Sequence, residues 1–98
     1  MARPEKVPLE VRQTVEHGQA SNVFRFRDKT VQIHGTFVAT LQLEGSIDGS
    51  EYFPVGAPKT SPGAVLVPET VEFLRVRTTA YTSGEPRAVL AGFDERAM

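Results

Sequence analysis

The sequence contains no cysteine and no tryptophan, and each absence narrows the field. Without cysteine there is no disulfide framework, no thiolate-ligated zinc and no thiol nucleophile, staples that small secreted domains usually need. That favours a cytosolic or assembly setting. Without tryptophan, the bulk of a core must come from six Phe, two Tyr and the aliphatic residues. Net charge is missing as well: 11 Lys+Arg against 12 Asp+Glu leave −1, with no run of like charge. Nothing here resembles the footprint of a protein that binds nucleic acid or an anionic membrane. The opening MARPEKVPLEVRQ has basic residues but no hydrophobic segment behind them, so we expect neither a signal peptide nor a membrane span.

Chemistry-bearing motifs are equally thin. The chain has no G-x-G-x-x-G or Walker loop, no G-x-S-x-G elbow and no H-E-x-x-H pair. We therefore expect no nucleotide cofactor, no resident metal and no enzymatic activity. The two histidines, His17 and His34, stand beside Gly18 and Gly35 and are read as exposed loop residues. Glu44, Asp48 and Glu51 offer carboxylates, but their spacing does not match a calcium loop. At 98 residues the chain makes one domain, able to bury only about 60–65% of the surface its unfolded form exposes. A cleft between domains is excluded.

What the sequence does have is short-range alternation punctuated by Gly, Pro, Asn and Asp, while helical periodicity is nearly absent. In TFVATLQLEGSI, Phe37, Ala39, Leu41, Leu43 and Ile47 fall on one side and Thr36, Thr40, Gln42, Glu44 and Ser46 on the other. VEFLRVRTTAYT sets Leu74, Val76, Thr78 and Ala80 against a mixed face of Phe73, Arg75, Arg77, Thr79 and Tyr81. Shorter strands are expected at 9–15, 22–27, 30–34, 51–55, 64–67 and 86–93. Strands at this spacing predict an all-β, single-domain antiparallel β-sandwich of about seven or eight strands, jelly-roll-like or Ig-like. The domain should cover 9–94, behind an extended arm at 1–8 that pairs poorly by itself and ahead of a tail at 95–98.

Between the strands, Asp48-Gly49 reads as a two-residue type I′ hairpin turn. GAPKTSPGA (56–64) reads as an exposed loop, and VPET (67–70) could form a single helical turn. Arg25 and Arg27 flank Phe26, and Arg75 and Arg77 alternate, an interleaving found in single-strand binders. With Asp28, Glu69 and Glu72 close by, ion pairing between neighbouring strands is the reading we adopt. Tyr52, Phe53 and Tyr81 could stack on sugar rings with Asp48 or Glu51 as acceptors. The alternative, favoured here, is that they supply core or interface bulk.

Two segments together, HGTFVATLQLEGSIDGSEYFPV (34–55) and VEFLRVRTTAYTSGEPRAVLAG (71–92), resemble a pattern common in small structural proteins of tailed bacteriophages. That pattern is a G-T-F strand running into an EGS-x-DG turn and an aromatic, then a late strand ending in AYTSG; Tyr52-Phe53 stand where it often has Trp. The resemblance implies a β-sandwich virion protein with no active site. Capsid decoration (cement) is the expected role, on the capsid exterior, bound to the major capsid protein and to copies of itself as a homotrimer. A head-tail connector or tail accessory, and a carbohydrate-binding module for host attachment, are the alternatives. The residues expected to meet partners are Arg3 and Lys6 in the arm, Lys59 and Thr60 in the Pro/Gly loop, and Arg75, Arg77 and Tyr81 on the late strand.

Overall fold

The computed structural model describes residues 3–68 and 70–94. Eight strands run in chain order: β1 (Arg3–Leu9), β2 (Ser21–Asn22), β3 (Phe26–His34), β4 (Phe37–Ser46), β5 (Phe53–Pro54), β6 (Gly63–Val67), β7 (Phe73–Gly84) and β8 (Arg87–Asp94). They form two antiparallel four-stranded sheets, β1-β8-β3-β6 and β2-β7-β4-β5. The architecture is a β-sandwich, and its order separates the two expected topologies. β1 pairs with β8, β2 with β7, β3 with β6 and β4 with β5, as in a long hairpin rolled up on itself. That nesting is the jelly roll.

The first sheet places its residues in clean rows. Val7, Leu90, Val31 and Val65 stand side by side across the four strands, as do Leu9, Ala88, Ile33 and Gly63. These rows face inward: Val31 and Leu90 are fully buried, and Leu9, Ala88, Ile33 and Val65 nearly so. From the second sheet they meet Ala39, Leu41 and Leu43 of β4 and Leu74 and Val76 of β7. Each full burial of a Leu or Val stabilises the fold by roughly 1.5–3 kcal/mol. Among the described residues, no buried side-chain polar atom lacks a hydrogen bond. Thr78, fully buried, donates through Oγ1 to the carbonyl of Arg12 at 2.8 Å.

The segment expected as an unpaired arm is strand β1, in register with β8 from Arg3 opposite Asp94 to Leu9 opposite Ala88. Its prolines are compatible with a strand because β1 lies at the sheet edge, where a missing N–H deprives no neighbour. The strand expected at 9–15 is correspondingly displaced, and residues 10–20 form an irregular crossing to the second sheet. The stretches 22–27 and 30–34 are not two strands: β3 runs unbroken from Phe26 to His34. It carries a bulge between Arg27 and Thr30, where Asp28 adopts φ 55°. His34 therefore ends a strand instead of sitting in a loop. Of the turn expected at 67–70, Val67 belongs to β6 and Glu69 lies outside the described residues, as does the tail 95–98.

Two connections, β3 to β4 and β7 to β8, cross between the sheets at the same end of the sandwich and lie against each other. Gly35 (φ 98°) and Gly84 (φ 95°) make the bends, and Glu85 N donates to Thr36 O at 2.9 Å. A Cβ on Gly84 would stand 2.3 Å from Thr36 O, and one on Gly35 would stand 2.3 Å from Glu85 O. Both positions therefore need glycine for its backbone conformation and for its lack of a side chain.

The Asp48-Gly49 turn differs from expectation. Among the described residues, Asp28 is the only non-glycine with positive φ, so Asp48 lacks the conformation that type I′ requires. β4 leaves the ladder after Ser46, and a six-residue loop (47–52) joins it to β5, whose Phe53 lies opposite Gly45. Asp48 organises this loop with its side chain: Oδ1 accepts from Ser50 N (2.8 Å), Glu51 N (3.0 Å) and Ser46 Oγ (3.1 Å). Gly49 N donates in turn to Ser46 Oγ at 2.8 Å. Because the chain has already turned, Ile47 is 69% exposed and does not continue the core face.

Gly84→Ala should destabilise the domain by at least about 1–2 kcal/mol, the cost of left-handed backbone for a residue with a Cβ, before the clash with Thr36 is added. The measurement is the urea midpoint, expected to fall with the slope unchanged. The loop predicts a pH effect. Backbone N–H groups of Glu51 and Ser50, then the Ser46 hydroxyl, hold the Asp48 carboxyl below its ordinary value. A carboxyl lowered in the fold contributes stability that is present above its unfolded pKa and lost as pH falls through the folded one. Asp48→Asn keeps an acceptor but cannot titrate, so its urea midpoint should fall less than that of the natural chain on acidification below about pH 4.

Candidate interaction surface

The outer face of the β2-β7-β4-β5 sheet is built around one carboxylate. The β4/β7 register sets Glu44 opposite Arg75 and Gln42 opposite Arg77. Arg75 Nε donates to Glu44 Oε1 at 2.8 Å, and Arg77 Nε donates to Oε2 at 3.2 Å. The Arg75 guanidinium also lies 3.7 Å from the centroid of the Tyr52 ring. Arg75 is thus held between an anion and a ring, and its side chain is only 14% exposed, against 40% for Arg77. Ion pairing is the correct account of these arginines, but the partner is Glu44 and not Glu72. Gln42 Nε2 reaches Val55 O (3.3 Å) and Gly56 O (3.2 Å), securing the chain that follows β5 along the β4 edge.

Tyr81 does not share the Arg75 and Arg77 face. Opposite β4, β7 has an extra residue between Thr78 and Ala80 and another between Tyr81 and Ser83. Each bulge shifts the inward-outward alternation by one residue. Tyr81 therefore turns toward the core, half-buried, and its hydroxyl donates to Gly84 O at 2.7 Å; Ala80, expected inside, is exposed. Phe53 also packs on the core. Tyr52, Phe53 and Tyr81 are consequently not assembled into a platform for a sugar ring. Two of the three candidate carboxylates are engaged elsewhere, Glu44 with two arginines and Asp48 within its loop.

The remaining predicted residues are dispersed. Lys59 is half-buried beside β4, exchanging two backbone hydrogen bonds with Leu41 (2.7 and 2.8 Å), and Thr60 is exposed next to it. Arg3 is placed by its backbone pairing with Asp94. His17 lies exposed along β7, opposite Arg77, in the irregular chain that covers that strand's outer edge.

Lys6 leads to a surface that the sequence reading missed. Across the first sheet it stands in the row Lys6, Ala91, Thr30, Leu66, beside the row Pro8, Val89, Gln32, Ala64. These rows point outward. Leu66 is 71% exposed, and Lys6, Gln32, Ala64 and Ala91 are exposed too. One lysine is the sole ionisable residue in eight positions, on a protein with 23% charged residues. A shallow depression of about 540 Å³ lies over it, lined by Lys6, Thr30, Gln32, Ala64, Val89 and Ala91. At the β6 end the face runs into a cleft of about 590 Å³ bordered by Phe24 (65% exposed), Leu66, Pro68 and the Asp28 bulge. Exposed apolar side chains grouped on a sheet make this face a candidate contact surface. A signal was present in AVLV (64–67) and AVLAGF (88–93), where both parities are apolar, the pattern of strands covered on two faces.

No protein-family model matches the chain, and no curated protein matches it either. Among solved structures, the crystal structure of the SPBc2 prophage-derived protein YomS is similar, with a TM-score of 0.74 over 95% of each chain at 11% sequence identity. The likeness is one of fold. It extends over almost the whole jelly roll, so the strand order described above is shared architecture and not a feature of one region.

Removing the charge of Glu44 should cost about 1–3 kcal/mol in Glu44→Gln, because the poorly exposed Arg75 loses its charged acceptor. Double-mutant cycles by urea denaturation should give a larger coupling for Glu44 with Arg75 than with the more exposed Arg77.

Proposed function

We propose that this chain is a non-enzymatic structural protein of a tailed-phage particle, and that it acts as a capsid decoration protein. It would dock the outer face of the β1-β8-β3-β6 sheet on the assembled major capsid protein at the particle exterior. The observation that carries this reading is the nearly uncharged middle of that face, whose apolar residues would lose water on docking, at about 25 cal/mol per Å² of apolar area. Two further observations support it. The segments 34–55 and 71–92 resemble small phage structural proteins, and the fold is that of a prophage-derived protein. Lys6 stays among the contact residues; Arg75 and Tyr81 leave the set because their polar groups are engaged internally.

Many weak contacts repeated over a lattice give strong retention through effective concentration, so each copy needs only a modest face. A connector or tail role would use the same face at far fewer positions. The carbohydrate-binding alternative draws no support from its aromatics, since Phe53 and Tyr81 pack on the core and Tyr52 lies against Arg75.

The test is quantitative mass spectrometry of purified particles. Decoration predicts a copy number comparable to that of the major capsid protein, whereas a single ring's worth of copies would move the protein to the neck or tail. Val89→Glu with Ala91→Glu, which charges the face, should abolish particle binding. Arg77→Glu, on the opposite sheet, should leave it within about twofold, as expected for a site outside the contact.

A further inference from the structure

The two sheets have four outer edges, and three of them are closed to pairing. In β1, Pro4, Lys6 and Pro8 alternate. A proline is accommodated where its missing N–H would face away from the neighbouring strand, so the free edge of β1 offers no donor at 4 and 8 and a lysine between them. β2 and β5 are two residues long, and the chain extending each of them is irregular. The fourth edge is different. β6 reads Gly63-Ala64-Val65-Leu66-Val67, with no charge and no proline, and it pairs with β3 on one side only. Among the described residues, no backbone hydrogen bond outside the strand ladders reaches positions 63–67.

We propose that β6 is the seam along which two copies of this chain pair, antiparallel about a two-fold axis at Val65. The two β1-β8-β3-β6 sheets then become one continuous sheet. The strand is self-complementary in this register. Ala64 of each copy lies opposite Leu66 of the other on the outer face, a small side chain against a large one, and Val65 meets Val65 of the second copy beneath. No ionisable side chain occurs in the strand, so no like charges are opposed, and backbone bonds supply the attraction. The outer-face rows, which end at Leu66 and Ala64, continue across the seam into the second copy and double the apolar surface. An isologous contact of this kind closes on itself at two copies. A ring built from sheet edges would instead set β6 against β1 of the next copy, and the prolines and lysine of β1 exclude it. The homotrimer expected from the sequence is therefore not assembled through these edges.

This inference goes beyond the particle reading and needs no capsid to test. Light scattering coupled to gel filtration on the purified full chain should give twice the 10.7 kDa of one copy. Ala64→Lys with Leu66→Lys opposes lysines at both ends of the seam and should weaken the dimer about tenfold or more. Ala64→Lys with Leu66→Glu sets each lysine opposite a glutamate of the second copy and should restore it. Both positions are exposed, so the circular dichroism of all three proteins should agree. A second measurement uses the natural absence of cysteine. Mixed Ala64→Cys and Leu66→Cys chains should oxidise to a cross-linked pair, because directly opposite Cα atoms lie within disulfide range, and Ala64→Cys alone should not. A monomeric or trimeric natural chain, equal association of the two charge variants, or cysteine cross-linking without preference for the mixed pair would each overturn the proposal.

Discussion

The β4–β7 ladder is the constraint on which the rest of this molecule depends. It is the spine of the second sheet, running from Phe37 opposite Gly84 to Ser46 opposite Phe73, and it positions groups on both sides. Inward, it supplies Leu41, Leu43, Leu74 and Val76 to the core. Outward, its register brings Glu44 within reach of two arginines. At its far end it delivers Gly84 to the contact with Thr36, which fixes how both crossing connections leave the sheets. Thr78 adds a tether to the long crossing after β1, so the path of residues 10–20 also depends on where β7 lies. The charged and aromatic side chains on the outer side of this ladder satisfy one another, which leaves the other sheet as the one with unanswered surface.

That asymmetry organises the functional reading. One outer face is held together by an arginine–glutamate–arginine bridge capped by Tyr52; the middle of the other presents aliphatic residues with Thr30, Gln32 and a single lysine. Forming the first engages Arg75 and Arg77, two of the charges that the sequence offers as docking groups. The second is suited to contact because its residues give up little hydration when covered.

Much of the fold was legible in the sequence because a half-buried strand leaves a period of two. The central part of β4 and the first half of β7 read correctly from that period, as did the sandwich class. What failed did so for local reasons. The bulges in β7 shift its phase after Thr78, and bulges carry no compositional mark there, so Tyr81 and Ala80 exchange sides. The Asp48 loop was misread because Asp-Gly suits more than one turn; the choice was made by Asp48's side chain accepting from Ser50 and Glu51, a geometry that pair spacing does not encode. β1 was misread because proline signals an edge as readily as an unpaired arm, and only the presence of β8 beside it decides. The uncharged middle of the first sheet's outer face left no charged or aromatic motif; its mark is the lack of polar alternation in two short strands, AVLV and AVLAGF.

The rolled-up nesting also sets the entropic cost of closing each pair of strands. β4 and β5 are neighbours in sequence and can meet after a short loop, whereas β1 and β8 must close nearly the whole chain, from Arg3 to Asp94. Loop-closure entropy grows with the enclosed length, and topologies dominated by such distant pairings fold in milliseconds to seconds. By loop length the β4–β5 pair at the centre of the roll is the cheapest to close, and β1 is the strand that pairs across the longest span. Until it does, β8 has an open side, and the strand that will later be protected by two prolines is not yet there to protect it. For this chain the vulnerable interval is the one before its N-terminal strand docks, and that strand acts as the latch of the roll.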